Sequence, residues 1–146
     1  MNPTLQVGDR ILVVKSSRLA GPIHLGDIVV FRHPKVFPCK ASKDQSLDLV
    51  QRVIGVPGDT IWSVKNRIYI NGQQLHEPGW YDLSYGQVGS TSIHRIKIPF
   101  GRYFVMGDNR SDSCDSRVFG PAARSSTIGK VFAVVARDGH LHLHFF

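Results

Sequence analysis

Apolar residues fall along this chain in short runs, each closed by glycine, proline or a charged side chain. Residues 11–14, 27–32, 47–56, 60–64 and 67–70 are rich in Val, Ile, Phe and Tyr and read as strands. Further strands are expected at 93–98, 103–107, 128–136 and 140–145. Asn71-Gly72 and Asp138-Gly139 are two-residue hairpin signals, because both turn positions accept positive φ. No stretch beyond a turn or two keeps the 3.6-residue period of an amphipathic helix. The pattern predicts an all-β fold of antiparallel hairpins, coiled into barrel- or sandwich-like sheets, with little helix. Long loops are expected at about 33–46 and 77–92.

Length and composition sharpen this picture. The 146 residues suffice for one compact domain, 1–146. With 42% hydrophobic and 20% charged residues, the chain should fold around a true core. The formal charge of +7 suits an anionic partner, nucleic acid or a membrane surface, although its basic residues are scattered rather than gathered in an arm. No apolar stretch approaches the ~20 residues of a spanning helix, and no signal-peptide pattern opens the chain. Two cysteines, Cys39 and Cys114, exclude a disulfide scaffold but leave a single bridge open.

Three Gly-Asp pairs, Gly8-Asp9, Gly26-Asp27 and Gly58-Asp59, precede apolar runs and read as turns. In each, glycine supplies positive φ and the carboxylate bonds nearby backbone N–H groups. The polar cluster after the strand at 103–107 is of another kind. Asp108, Asn109, Arg110, Ser113, Asp115, Ser116 and Arg117 crowd beside a core strand, where unpaired polar groups cost about 1–3 kcal/mol each. An Asp115–Arg117 pair with hydroxyls from Ser113 and Ser116 would make a self-supporting network. No His or Cys pair at zinc spacing accompanies it, so neither a metal nor a cofactor is expected. His140, His142 and His144 alternate on one face of the last strand; a half-exposed edge strand is a plainer reading than a metal site.

These clusters together resemble the type I signal peptidases, membrane-bound serine endopeptidases that remove signal peptides from exported preproteins. Met1-Asn2-Pro3-Thr4-Leu5 is similar to the end of the nucleophile box, Ser-Met-x-Pro-Thr-Leu. Gly26 to Phe31 resembles the second strand box, and residues 52–60 resemble the box Lys-Arg-x-x-Gly-x-Pro-Gly-Asp. Residues 68–72 match a Tyr-Ile-Asn-Gly-type hairpin, and Gly107-Asp108-Asn109-Arg110 through Arg117 matches the last box. A self-cleaving repressor, which shares the Ser–Lys core, fits less well because it lacks that last box.

The resemblance implies a Ser nucleophile activated by a neutral, buried Lys. It gives Ser113 as the residue that bonds the Lys amine, and Asp115 with Arg117 as the supporting ion pair. By the resemblance, the nucleophile should immediately precede Met1, with the oxyanion hydroxyl and the membrane anchor further upstream, so all three are expected outside the 146 residues. The base position is occupied by Gln51, whose amide neither gains nor loses a proton near neutral pH. Lys40 and Lys43, in the preceding loop, are poor substitutes. The chain is therefore expected to be inactive in cleavage as it stands. The alternative is a non-catalytic homologue that binds extended peptides as a chaperone or assembly factor. Either way, signal peptides of preproteins are the expected ligands, with a membrane surface on the extracytoplasmic side as a partner and no nucleic acid. Asp48, Leu49 and Val50 would offer the backbone edge for the peptide. Met1, Leu5, Leu49 and Val50 would line a small pocket for alanine.

Overall fold

The computed structural model describes residues 1–15, 21–32, 39, 48–65, 67–76 and 92–146. Each apolar run in those segments forms a strand. They are β1 (Arg10–Lys15), β2 (Ile28–Arg32), β3 (Asp48–Gly55), β4 (Thr60–Val64) and β5 (Arg67–Ile70), then β6 (Gln73–Gln74), β7 (Ile96–Lys97) and β8 (Arg102–Met106). After a single helical turn, α1 (Ser116–Phe119), come β9 (Ala122–Ala123), β10 (Thr127–Arg137) and β11 (His140–Phe145). The long loops expected at 33–46 and 77–92 fall outside the described residues, except for Cys39 and position 92.

Among the described residues all strand pairings are antiparallel. The larger sheet has seven strands in the order β1-β10-β2-β3-β8-β9, with β11 also on β10. One edge of β10 carries β1, and the other is shared by β2 near Gly129 and β11 from Ala133 onward. A second sheet runs β6-β5-β4-β7. Asn71 and Gly72, with φ of 52° and 90°, turn β5 into β6, and Asp138 and Gly139, with φ of 50° and 79°, turn β10 into β11.

Strand periodicity sorts the core into clusters. Val30 pairs with Val50, and both pack with Leu5, Ile28, Val131 and Val134. One residue along, Val29 pairs with Gln51, and that face joins Phe31, Leu49, Val53, Tyr103 and Val105. Ile54 leads into a third cluster with Ile61, Ile68, Ile98, Phe104 and Met106, which fastens the small sheet to the large one. Each fully buried aliphatic side chain contributes about 1.5–3 kcal/mol by leaving water.

The Gly-Asp turns share one geometry. Gly8, Gly26 and Gly58 have φ of 93°, 91° and 93°. The following aspartates accept from the backbone N–H three residues earlier: Gln6 to Asp9 at 2.9 Å, His24 to Asp27 at 2.7 Å and Val56 to Asp59 at 2.9 Å.

Candidate active site

The site forms where β8 gives out. β3 pairs with β8 at Arg52, Val53 and Gly55, but β8 ends at Met106, opposite Arg52. The stretch from Asp48 to Gln51 keeps β2 on one side and has no strand on the other among the described residues. Among the described residues, that half of β3 is an open edge beside the turn that starts at Gly107.

Alternation along β3 sends Gln51 and Arg52 to opposite faces. Gln51 is only 4% exposed, and its Nε2 donates to the Cys114 carbonyl at 2.7 Å. Its Oε1 is the one buried side-chain polar atom among the described residues with no hydrogen-bond partner. Arg52 donates from Nε and Nη2 to the two Asp108 oxygens at 2.9 and 2.7 Å, and from Nη1 to the Gly26 carbonyl at 2.8 Å. The Thr4 hydroxyl donates to the same Asp108 carboxylate, and the Asp108 N–H reaches Met1 Sδ at 3.4 Å. The N-terminal segment is thus pinned onto β3 and the last box through one buried carboxylate. Burial holds the Met1 α-amine below its ordinary pKa, against the pull of Asp108 and Asp112.

On the other side of the turn, Gly107 N–H is shared between Ser113 Oγ and Asp115 Oδ2, each at 3.2 Å. A Cβ at position 107 would lie 2.3 Å from Ser113 Oγ, so glycine is what lets that hydroxyl approach. The Asp115–Arg117 pair is present and buried: Arg117 Nε and Nη2 donate to the two Asp115 oxygens at 2.8 and 2.7 Å. Asp115 also caps α1 by accepting from Arg117 N at 3.1 Å, and Ser116 Oγ accepts from Val105 N at 2.9 Å. Cys114, between Ser113 and Asp115, is disulfide-bonded to Cys39, with their Cα atoms 6.1 Å apart.

Of the residues expected at the site, Gln51, Ser113, Asp115 and Arg117 gather around residues 107–117. Met1, Leu5 and Val50 share one apolar cluster, whereas Asp48 is exposed at the open end of β3. Leu49 is not brought to that pocket: alternation turns its side chain to the opposite face, against the Phe31 and Val53 cluster. Lys40 and Lys43 lie outside the described residues. The Arg52–Asp108–Thr4 arrangement has no signal in pattern reasoning, since Thr4 and Asp108 are far apart in sequence.

A cleft of about 400 Å³ opens beside the N-terminal segment, lined by Pro3, Thr4, Arg52, Arg137, His142, His144 and Phe146. All six residues of β11 are exposed. No group of three or more His, Cys, Asp or Glu among the described residues could hold a metal ion.

Comparison with known proteins gives a consistent picture. The family profile described as "Signal peptidase, peptidase S26" matches residues 1–136. Signal peptidase I V of Bacillus subtilis (strain 168) is 39% identical over 140 residues, which cover 90% of this chain and 77% of that protein. Signal peptidase I U of the same organism is 39% identical over 123 residues, covering 80% of this chain but only 60% of that protein's length. Among solved structures, a signal peptidase I from Enterococcus faecalis V583 superposes with a TM-score of 0.59 at 26% identity, covering 75% of this chain and 96% of that one.

Proposed function

Because the chain belongs to the signal peptidase family, peptidase S26, we propose that it is a signal-peptidase domain that holds preprotein signal peptides as extended strands. Gln51 leaves it without the proton acceptor that cleavage needs. The observation that carries this reading is the buried amide at position 51, bonded to Cys114. A serine hydroxyl attacks a carbonyl efficiently only when a base takes its proton, and the family uses a lysine kept neutral by burial. The Gln51 amide nitrogen is a committed donor, and its oxygen cannot hold a proton near neutral pH. Ser113, Asp115 and Arg117 keep the frame that would support a lysine. A second reading, a non-catalytic homologue acting as chaperone or assembly factor, is favoured by the same glutamine.

Peptide binding needs no base. The edge from Asp48 to Val50, unpaired on one side among the described residues, offers main-chain donors and acceptors to an added strand, which supplies affinity while pockets for alternate side chains supply specificity. Met1, Leu5 and Val50 would line the pocket for a small residue such as alanine. A membrane surface on the extracytoplasmic side is the setting we infer. The Cys39–Cys114 disulfide supports the extracytoplasmic side, and the net charge of +7 and the exposure of Leu141, Leu143 and Phe145 at 83%, 60% and 61% support a membrane surface. No helix among the described residues is long and apolar enough to cross a membrane.

Titration with a peptide carrying an Ala-x-Ala pattern, followed by NMR, tests the binding half. The Leu49 and Val50 amide signals should move; if they stay fixed at saturating peptide, strand addition at this edge is wrong. Incubation with a preprotein in detergent tests the other half, and turnover by this chain would refute it.

A further inference from the structure

Cys114 is held from two sides. Its sulfur is bonded to Cys39, 75 positions away in sequence, and its carbonyl accepts the Gln51 amide at 2.7 Å. The β3 side of that hydrogen bond is fixed, because Gln51 sits in register with Val29 of β2. The Cys114 carbonyl lies in residues 107–115, which form neither helix nor strand. It is held through its neighbours and the disulfide: Ser113 Oγ and Asp115 Oδ2 accept from Gly107 N–H, the Asp115 carboxylate accepts from Arg117, and the Asp115 carbonyl accepts from Val118 and Phe119 N–H. Among the described residues Gln51 has no second anchor, since its Oε1 is buried without a partner there.

We propose that Cys39 is a positioning residue for the site: as the Cys39–Cys114 disulfide it fixes the carbonyl that holds Gln51, and reduction of that bond releases the side chain at position 51. Displacing the Cys114 carbonyl oxygen lengthens the contact and bends the donor angle, and a hydrogen bond weakens steeply once that angle falls below about 120°. The chemistry is thiol–disulfide exchange. Two glutathione thiolates attack in turn through a mixed disulfide. Two electrons and two protons pass to the cysteines, and glutathione disulfide is the product. The oxidation state of this pair thereby becomes an input to the site. The proposal stands on the geometry around Cys114 and holds whether the site cleaves peptides or only binds them.

Linkage makes it measurable from both ends. If oxidation strengthens the Gln51–Cys114 bond, that bond favours oxidation by the same factor. Gln51→Met keeps the volume and removes the donor. Equilibrated with glutathione redox buffers, it should shift Cys39–Cys114 toward the thiols by about two- to tenfold, the net worth of one hydrogen bond. Gln74→Met, on exposed β6, should leave the equilibrium unchanged. From the other end, Cys39→Ser should move the Gln51 side-chain amide resonances and speed their exchange, with the Ile61 and Ile68 amides unmoved. An unaltered glutathione equilibrium in Gln51→Met overturns the proposal, and so does an unmoved Gln51 side-chain signal in Cys39→Ser. Should Cys39→Ser fail to fold, the Gln51→Met equilibrium, measured in the intact chain, decides alone.

Discussion

At position 51 an amide occupies a place shaped by its neighbours for a buried polar head group. The Cys114 carbonyl lies 2.7 Å from its nitrogen, and Ser113 Oγ is held nearby through Gly107. A lysine there would find a carbonyl acceptor and an environment dry enough to lower its pKa. In a chain carrying serine immediately before Met1, Gln51→Lys should therefore raise preprotein cleavage by about 10²–10⁴-fold over the same chain with Gln51. Densitometry of processed preprotein reads the gain, and absence of any gain would mean the scaffold has drifted beyond this one residue. Asp115 is the residue whose loss should cost most stability. Asp115→Ala removes the α1 cap, a Gly107 contact and both bonds to a buried guanidinium. Stranding Arg117 in this way should lower the unfolding free energy by about 3–5 kcal/mol in urea titrations. A loss under about 1 kcal/mol would show that Arg117 reaches water or another acceptor.

Among the elements, β3 does the most varied work. Its first half, Asp48 to Gln51, pairs with β2 and has no strand on its other edge among the described residues. Its second half pairs with β8, and the two ladders meet at Arg52, beside the candidate site. β10 is the other organising strand, and β1 runs close against it at Gly129. A Cβ there would sit 2.3 Å from the Val14 carbonyl oxygen, a backbone atom that cannot swing aside. Gly129→Ala should push β1 off β10 and cost about 1–3 kcal/mol, as overpacking does. Hydrogen exchange at Val13 and Val14 should quicken while β4 and β5 amides stay protected; unchanged β1 exchange would contradict the close approach.

Across the whole molecule, the first turn is tied to the far end of β10. Arg137 Nε and Nη2 donate to the two Asp9 oxygens, both at 2.7 Å. The hydrogen bonds from Arg137 hold the Asp9 carboxyl below its ordinary pKa of 3.8, outweighing desolvation. Since the folded value lies below the unfolded one, this stabilisation is complete above the unfolded pKa and is lost as pH falls through the folded one. Stability from urea titrations should therefore decline from pH 5 to pH 2.5 by more in the parent than in Asp9→Asn. Equal slopes would remove Asp9 from the acid response.

What the sequence determined by itself was local or repeated. The hairpins at Asn71-Gly72 and Asp138-Gly139, the three Gly-Asp turns and the main strands all follow from residue types within a few positions, because φ preferences and β-branched runs act at short range. The Asp115–Arg117 pair was legible for the same reason, being two positions apart. α1, β9 and the turn at Arg124–Ser126 went unpredicted because two to four residues carry no period. Gln51 was recognisable at its position, yet nothing in the sequence could show it bonded to Cys114 with a buried oxygen left over. The Cys39–Cys114 bridge, the Arg52–Asp108–Thr4 cluster and the separation of Leu49 from Val50's pocket were likewise decided only by the tertiary structure. Each depends on which strand lies beside which and in what register, and register is fixed by packing of distant segments rather than by any residue's own preference.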